Sequence, residues 1–114
     1  MQVYEIDELP SGLDEENYVQ INKGSVESME ELKLAYHLTL ESFKNKTNIA
    51  KKPKYEFLLW LAHTRDIKNA MKKTAPEKGK TLLILFSGEI DRKNAELKEK
   101  ADPLRLEEIS LSRI

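Results

Sequence analysis

The chain has 114 residues, 39% hydrophobic and 34% charged, with no cysteine and a net charge of −1. That is the size and balance of one globular domain with a single core, and it excludes disulfides, thiolate metal sites and cysteine nucleophiles. No apolar run reaches the roughly 18 residues of a membrane span. The start, Met-Gln-Val-Tyr-Glu-Ile-Asp, lacks the basic and apolar regions of a secretory leader, so a cytoplasmic protein without a membrane partner is expected.

In chain order, Val3, Tyr4 and Ile6 form a short run of strand-forming residues. Residues 18–22 alternate apolar and polar, the period of a half-buried strand. Pro10, Ser11, Gly12 and the acidic 14–16 between them read as a turn. Ser28 and Glu31 stand at capping-box spacing. Met29, Leu32, Tyr36, Leu40 and Phe43 then make an apolar helical stripe, with Leu34, Ala35 and Leu38 beside it. Residues 45–52 are a polar, basic connection. Pro53 suits a first helical position. Tyr55, Leu58, Leu59 and Ala62 share one face of the next helix, and Phe57, Trp60 and Leu61 extend it nearly all the way round. A helix apolar on most sides is covered on most sides, so residues 53–62 are expected at the centre of the fold.

Thr64 is read as the N-cap of a third helix, with Asp66 in its first turn and Ile67, Ala70 and Met71 as its buried side. Lys72 and Lys73 close it and Ala75-Pro76 stops it. Residues 81–86, Thr-Leu-Leu-Ile-Leu-Phe, between Gly79 and Gly88, read as a fully buried strand in mid-sheet. Residues 91–100 read as a polar, exposed helix broken by Pro103. Residues 104–111 fit either a strand or a short helix, the strand slightly preferred. The expected fold is α+β: a small, mostly antiparallel sheet with helices packed mainly on one face, in the order β-β-α-α-α-β-α-β.

The net charge conceals a segregation. Residues 1–43 hold two basic and ten acidic side chains; residues 44–80 hold eleven basic and three acidic; residues 81–114 hold six and seven. A basic third attracts an anion without making the whole chain basic, although most charge runs are solvated surface or are neutralised on folding. Gly79-Lys80-Thr81 is not a phosphate-binding loop, because position 74 is Thr and the stretch precedes a strand. His37 and His63, the two histidines, lack a second ligand at metal spacing; His63 reads as a turn residue. No carboxylate is marked as desolvated, and no serine–histidine–aspartate trio is indicated. Trp60 reads as core, and Glu56 as an i,i+4 partner of Lys52. Arg65 heads a helix in the basic third, a combination suited to anions. An enzyme, a cofactor, a metal site or a small-molecule substrate is not expected.

One set of residues resembles a known signature. Asn48-Ile49-Ala50-Lys51, Glu56-Phe57-Leu58-Leu59, Leu61-Ala62-His63-Thr64-Arg65-Asp66-Ile67 and Ala70-Met71 resemble the PRPK-binding protein (TPRKB-like) family, the small non-catalytic subunit of the KEOPS complex. The pattern runs Asn-Ile-Ala, Glu before paired leucines, then Leu-Ser/Ala-Gly-x-Arg-Gln-Ile. The resemblance covers about residues 18–86. His63 stands where the family has Gly and Asp66 where it has Gln, and the family's C-terminal region is longer. The resemblance implies a subunit that performs no chemistry. It would bind and regulate the small atypical kinase/ATPase subunit and help recruit tRNA, by its 3′ CCA end, for threonylcarbamoyl-adenosine modification. By matched position it assigns Arg65 to RNA contact. Lys51, Lys52, Lys54 and Lys68 join Arg65 as candidate RNA-binding residues on charge alone. The kinase-binding face is not legible in the sequence. The competing expectation is a protein-interaction adaptor without direct RNA binding.

Overall fold

The computed structural model describes residues 1–77 and 79–113. Strand β1 (Gln2–Ile6), strand β2 (Tyr18–Asn22), helices α1 (Met29–Lys44), α2 (Pro53–Leu61) and α3 (Ile67–Thr74), strand β3 (Thr81–Leu85) and helix α4 (Pro103–Ser110) follow one another along the chain. The sheet is antiparallel with order β1-β3-β2. The apolar run therefore forms the middle strand, and all five residues of β3 are buried. This is the expected α+β architecture.

The pleat sends alternate residues to opposite faces. Val3, Val19, Ile21, Leu82 and Ile84 join the helices in the main core. Tyr4, Ile6, Leu83 and Leu85 form a smaller cluster on the other face, covered by Leu13 and Ile90 from loops. Helix α2 lies at the centre, buried continuously from Glu56 to Leu61, between α1 and α3. Pro53 occupies its first turn, as its missing N–H allows.

Helix α1 begins with the expected capping box, but its ends of contact differ from the stripe. Leu32, Ala35, Thr39 and Ser42 are buried, whereas Leu40 is exposed. Thr39 and Ser42 are tolerated inside because their hydroxyls donate to Ala35 and Thr39 carbonyls one turn back. Helix α3 is capped by Asp66, whose carboxylate accepts from the Lys68 N–H, while Thr64 accepts from the Asp66 N–H. Its buried side is Ala70 and Thr74; Ile67 and Met71 are exposed.

The last third departs from expectation in two places. Residues 91–100 are not a helix. They run extended past β1, where Glu5 N–H donates to Lys93 O and Ala95 N–H to Val3 O, and then past the start of α1, where Met29 and Glu30 N–H groups donate to Lys98 and Glu99 carbonyls. A ten-residue polar helix with two apolar side chains is marginal. An open strand edge and the orphan N–H groups of a helix start offer its backbone better partners. The following segment is a helix, not a strand. Asp102 caps it and Pro103 stands in its first turn, so the proline read as a breaker is a start signal. Ile109 anchors α4 in the core. Arg105 of α4 donates to Glu31, whose buried carboxylate also accepts from Glu27 N–H, Ser28 N–H and the Ser28 hydroxyl.

Candidate nucleic-acid interface

The turn between α2 and α3 is built by backbone closure. Thr64 N–H donates to Leu59 O and His63 N–H to Trp60 O, the paired bonds of a Schellman ending. That ending requires a left-handed residue after the cap, and His63 supplies it at φ 42°. The turn projects Arg65 outward, where its Nη2 donates to the Arg113 carbonyl at 2.7 Å. Arg65, Trp60, Thr47, Ile49 and Arg113 line a pocket of about 310 Å³.

Behind this pocket lies a polar group that periodicity did not reveal. Glu56 is completely buried and is not an ion-pair partner of Lys52. Its carboxylate accepts from Ile49 N–H, Ala50 N–H, the Ser42 hydroxyl and Arg113 Nη1, at 3.1, 3.0, 2.6 and 2.6 Å. Burial alone pushes this carboxyl up, but Arg113, Ser42 and the Ala50 N–H outweigh it and hold the group below its ordinary value. The Arg113 guanidinium lies 3.8 Å from the centre of the Trp60 ring, the stacked arrangement that arginine favours. Trp60 Nε1, Arg113 Nε and Arg113 Nη2 are buried donors without a partner among the described residues. Arg65, Arg113 and Glu56 together leave one net positive charge.

The remaining candidate cations are spread around α2 and α3. Lys51 and Lys68 are exposed and lack an ion-pair partner among the described residues. Lys52 pairs with Glu16 at 3.0 Å, and this hydrogen bond raises its amine above the ordinary value. Lys54 donates to the Glu15 carbonyl at 2.8 Å and sits 5.3 Å from the Tyr55 ring centre. Lys54 lines a second groove, along β2, and not the Arg65 pocket. The five residues are thus not gathered in one pocket. The anion site suggested by a cation heading a helix is also already filled, because the Asp66 carboxylate occupies the start of α3.

The histidines are surface residues: His37 stands 3.3 Å from Glu41 and His63 3.5 Å from Glu108. Among the described residues no three His, Asp or Glu side chains converge as metal ligands do, and no helix is long and apolar enough to cross a membrane. No protein-family model matches the chain, and no curated protein matches it significantly.

Proposed function

We propose that the chain is a non-catalytic accessory subunit of the KEOPS type, cytoplasmic, that binds tRNA near its single-stranded 3′ end and docks on the small kinase/ATPase subunit. The observation that carries the RNA half is the pocket beside Arg65. It joins the only arginine of the basic third to a second arginine, which lies over the buried Trp60 indole, and to an apolar wall, with one net positive charge. Single-stranded ends are held by arginine and aromatic surfaces together with phosphate contacts. Exposed Lys51 and Lys68 add positive charge on the neighbouring turn and helix. The kinase half rests on the signature residues of the resemblance alone.

The test is a gel shift at fixed salt with tRNA carrying or lacking its CCA end. Wild-type protein is expected to prefer the intact end, and Arg65→Ala with Lys51→Ala to lose most of the affinity while keeping the far-ultraviolet spectrum. Equal binding by wild type and the double variant removes both residues from the site. A second reading, a protein adaptor without RNA affinity, is favoured by the contacts of Lys52 with Glu16 and of Lys54 with Glu15, which tie part of the basic third to the acidic amino-terminal segment. Absence of any tRNA shift, with intact kinase co-purification, selects that reading.

A further inference from the structure

The two outer edges of the sheet are treated differently. That of β1 is covered by residues 93–95 through the Glu5–Lys93 and Ala95–Val3 bonds. That of β2 is not. The bonds Phe86 N–H to Asn17 O and Lys23 N–H to Lys80 O bracket the β2–β3 ladder. They fix the odd-numbered residues as those bonding inward, so Tyr18, Gln20 and Asn22 turn their backbone groups outward. The Asn22 carbonyl accepts from the Ser25 hydroxyl. The N–H groups of Gln20 and Asn22 and the carbonyls of Tyr18 and Gln20 have no partner among the described residues, while the Tyr18 N–H faces back into the 3-10 turn Glu15–Asn17. Exposed edges are usually blunted by lysine, proline or a bulge; Tyr-Val-Gln-Ile-Asn has none of these.

Beside this edge runs a groove of about 340 Å³ between β2 and the helices, lined by Tyr55 and Leu58 of α2, Met71 and Thr74 of α3, and Pro76. Met71 is 48% exposed there. We propose that β2 and this groove accept an extended segment of a partner protein as a fourth strand, its alternate side chains entering the groove. Strand addition of this kind takes affinity from main-chain bonds and specificity from alternate side chains.

The groove selects the occupant. A second copy of this chain pairing through its own β2 brings no side chain into it, because Val19 and Ile21, the residues on that face, are already in their own core. A peptide with an apolar residue at the centre fits against Tyr55, Leu58 and Met71. Lys54 and Glu15 both line the groove and offset each other. The apolar wall of the groove, and not a net charge, therefore selects the side chains that enter it. The inference is independent of the RNA reading, which rests on the Arg65 pocket.

The test selects binders from a displayed library of random nine-residue peptides on the full chain. Apolar residues two apart are the expected enrichment. A selected peptide is then synthesised in two forms, N-methylated at odd or at even residues. In an added strand only one parity faces β2, so one form loses at least about tenfold in affinity and the other keeps it. Gln20→Pro removes one outward N–H without touching the β2–β3 ladder and weakens binding. Met71→Glu, at an exposed position, weakens it with an unchanged unfolding midpoint, so the result stands even where Gln20→Pro perturbs the strand. No enrichment, equal loss from both methylation patterns, or undiminished binding by Met71→Glu overturns the proposal. So does a sedimenting dimer that Gln20→Pro dissociates, which assigns the edge to a second copy.

Discussion

Replacing Glu56 by alanine tests how the centre of the fold is held. The carboxylate is fully buried and ties three separate segments to α2: α1 through Ser42, the 49–50 turn through two N–H groups, and the carboxy-terminal segment through Arg113. The consequences of removal differ by partner. The Ser42 hydroxyl retains the Thr39 carbonyl, and exposed Ile49 can pair its N–H with water. The Ala50 N–H is left unpaired in the interior, at about 1–3 kcal/mol. The Arg113 side chain, only 12% exposed, loses its counter-charge on the Trp60 ring. Breaking a buried pair from one side costs about 3–5 kcal/mol, and that is the loss expected for Glu56→Ala. For a chain of this size each kcal/mol corresponds to roughly 4 °C, so the midpoint of thermal unfolding, followed by circular dichroism, should drop by about 12–20 °C. Glu56→Gln keeps an oxygen for the Ile49 and Ala50 N–H groups and should lose less. A shift below about 3 °C in Glu56→Ala, under 1 kcal/mol on the same scale, refutes the assignment of Glu56 as the tie between these segments.

Three further outcomes follow from the same contacts. The Glu56 carboxyl is held below its ordinary value in the folded chain, so its contribution is present above the unfolded value and lost as pH falls through the folded one; acid unfolding should therefore be steeper in wild type than in Glu56→Gln, and parallel acid profiles contradict this. His63→Gly should stabilise by ~0.5 to 1 kcal/mol, because glycine adopts the left-handed C′ conformation without strain; urea titration measures it, and a loss of stability shows that the His63 ring contact outweighs the backbone. Ser28→Ala removes a buried cap that both accepts the Glu31 N–H and donates to its carboxylate, so a loss of about 1–2 kcal/mol is expected, and a neutral effect by the same titration shows that Glu31 and Arg105 hold the helix start without it.

Legibility in the sequence followed the range of the interactions. The buried β3 run, the Ser28–Glu31 box and the central α2 are local patterns of burial, spacing and capping, and each reappears where the pattern put it. Residues 91–100 went elsewhere because their partners, β1 and the start of α1, lie some ninety and seventy residues away by the roughly counted chain. Helix α4 was written in Asp102-Pro103, a signal that reads equally as the end of one element and the start of the next. Glu56 carried a visible hint, a carboxylate on a helix apolar all round. Its partner Arg113 stands near the other end of the chain, and no spacing rule joins them. The site was least legible for the same reason. Arg65 was marked by the resemblance and by charge, whereas the Trp60, Arg113 and Thr47 walls around it arise only from folding.

The salt dependence of tRNA binding tests the central claim most directly. Affinity measured by fluorescence anisotropy between about 50 and 200 mM salt gives a slope that counts displaced counterions. The account predicts measurable binding with a steep slope, and for Arg65→Ala both weaker binding and a slope reduced by about one. A slope and affinity in Arg65→Ala identical to wild type, or no tRNA binding at the lowest salt, contradicts it.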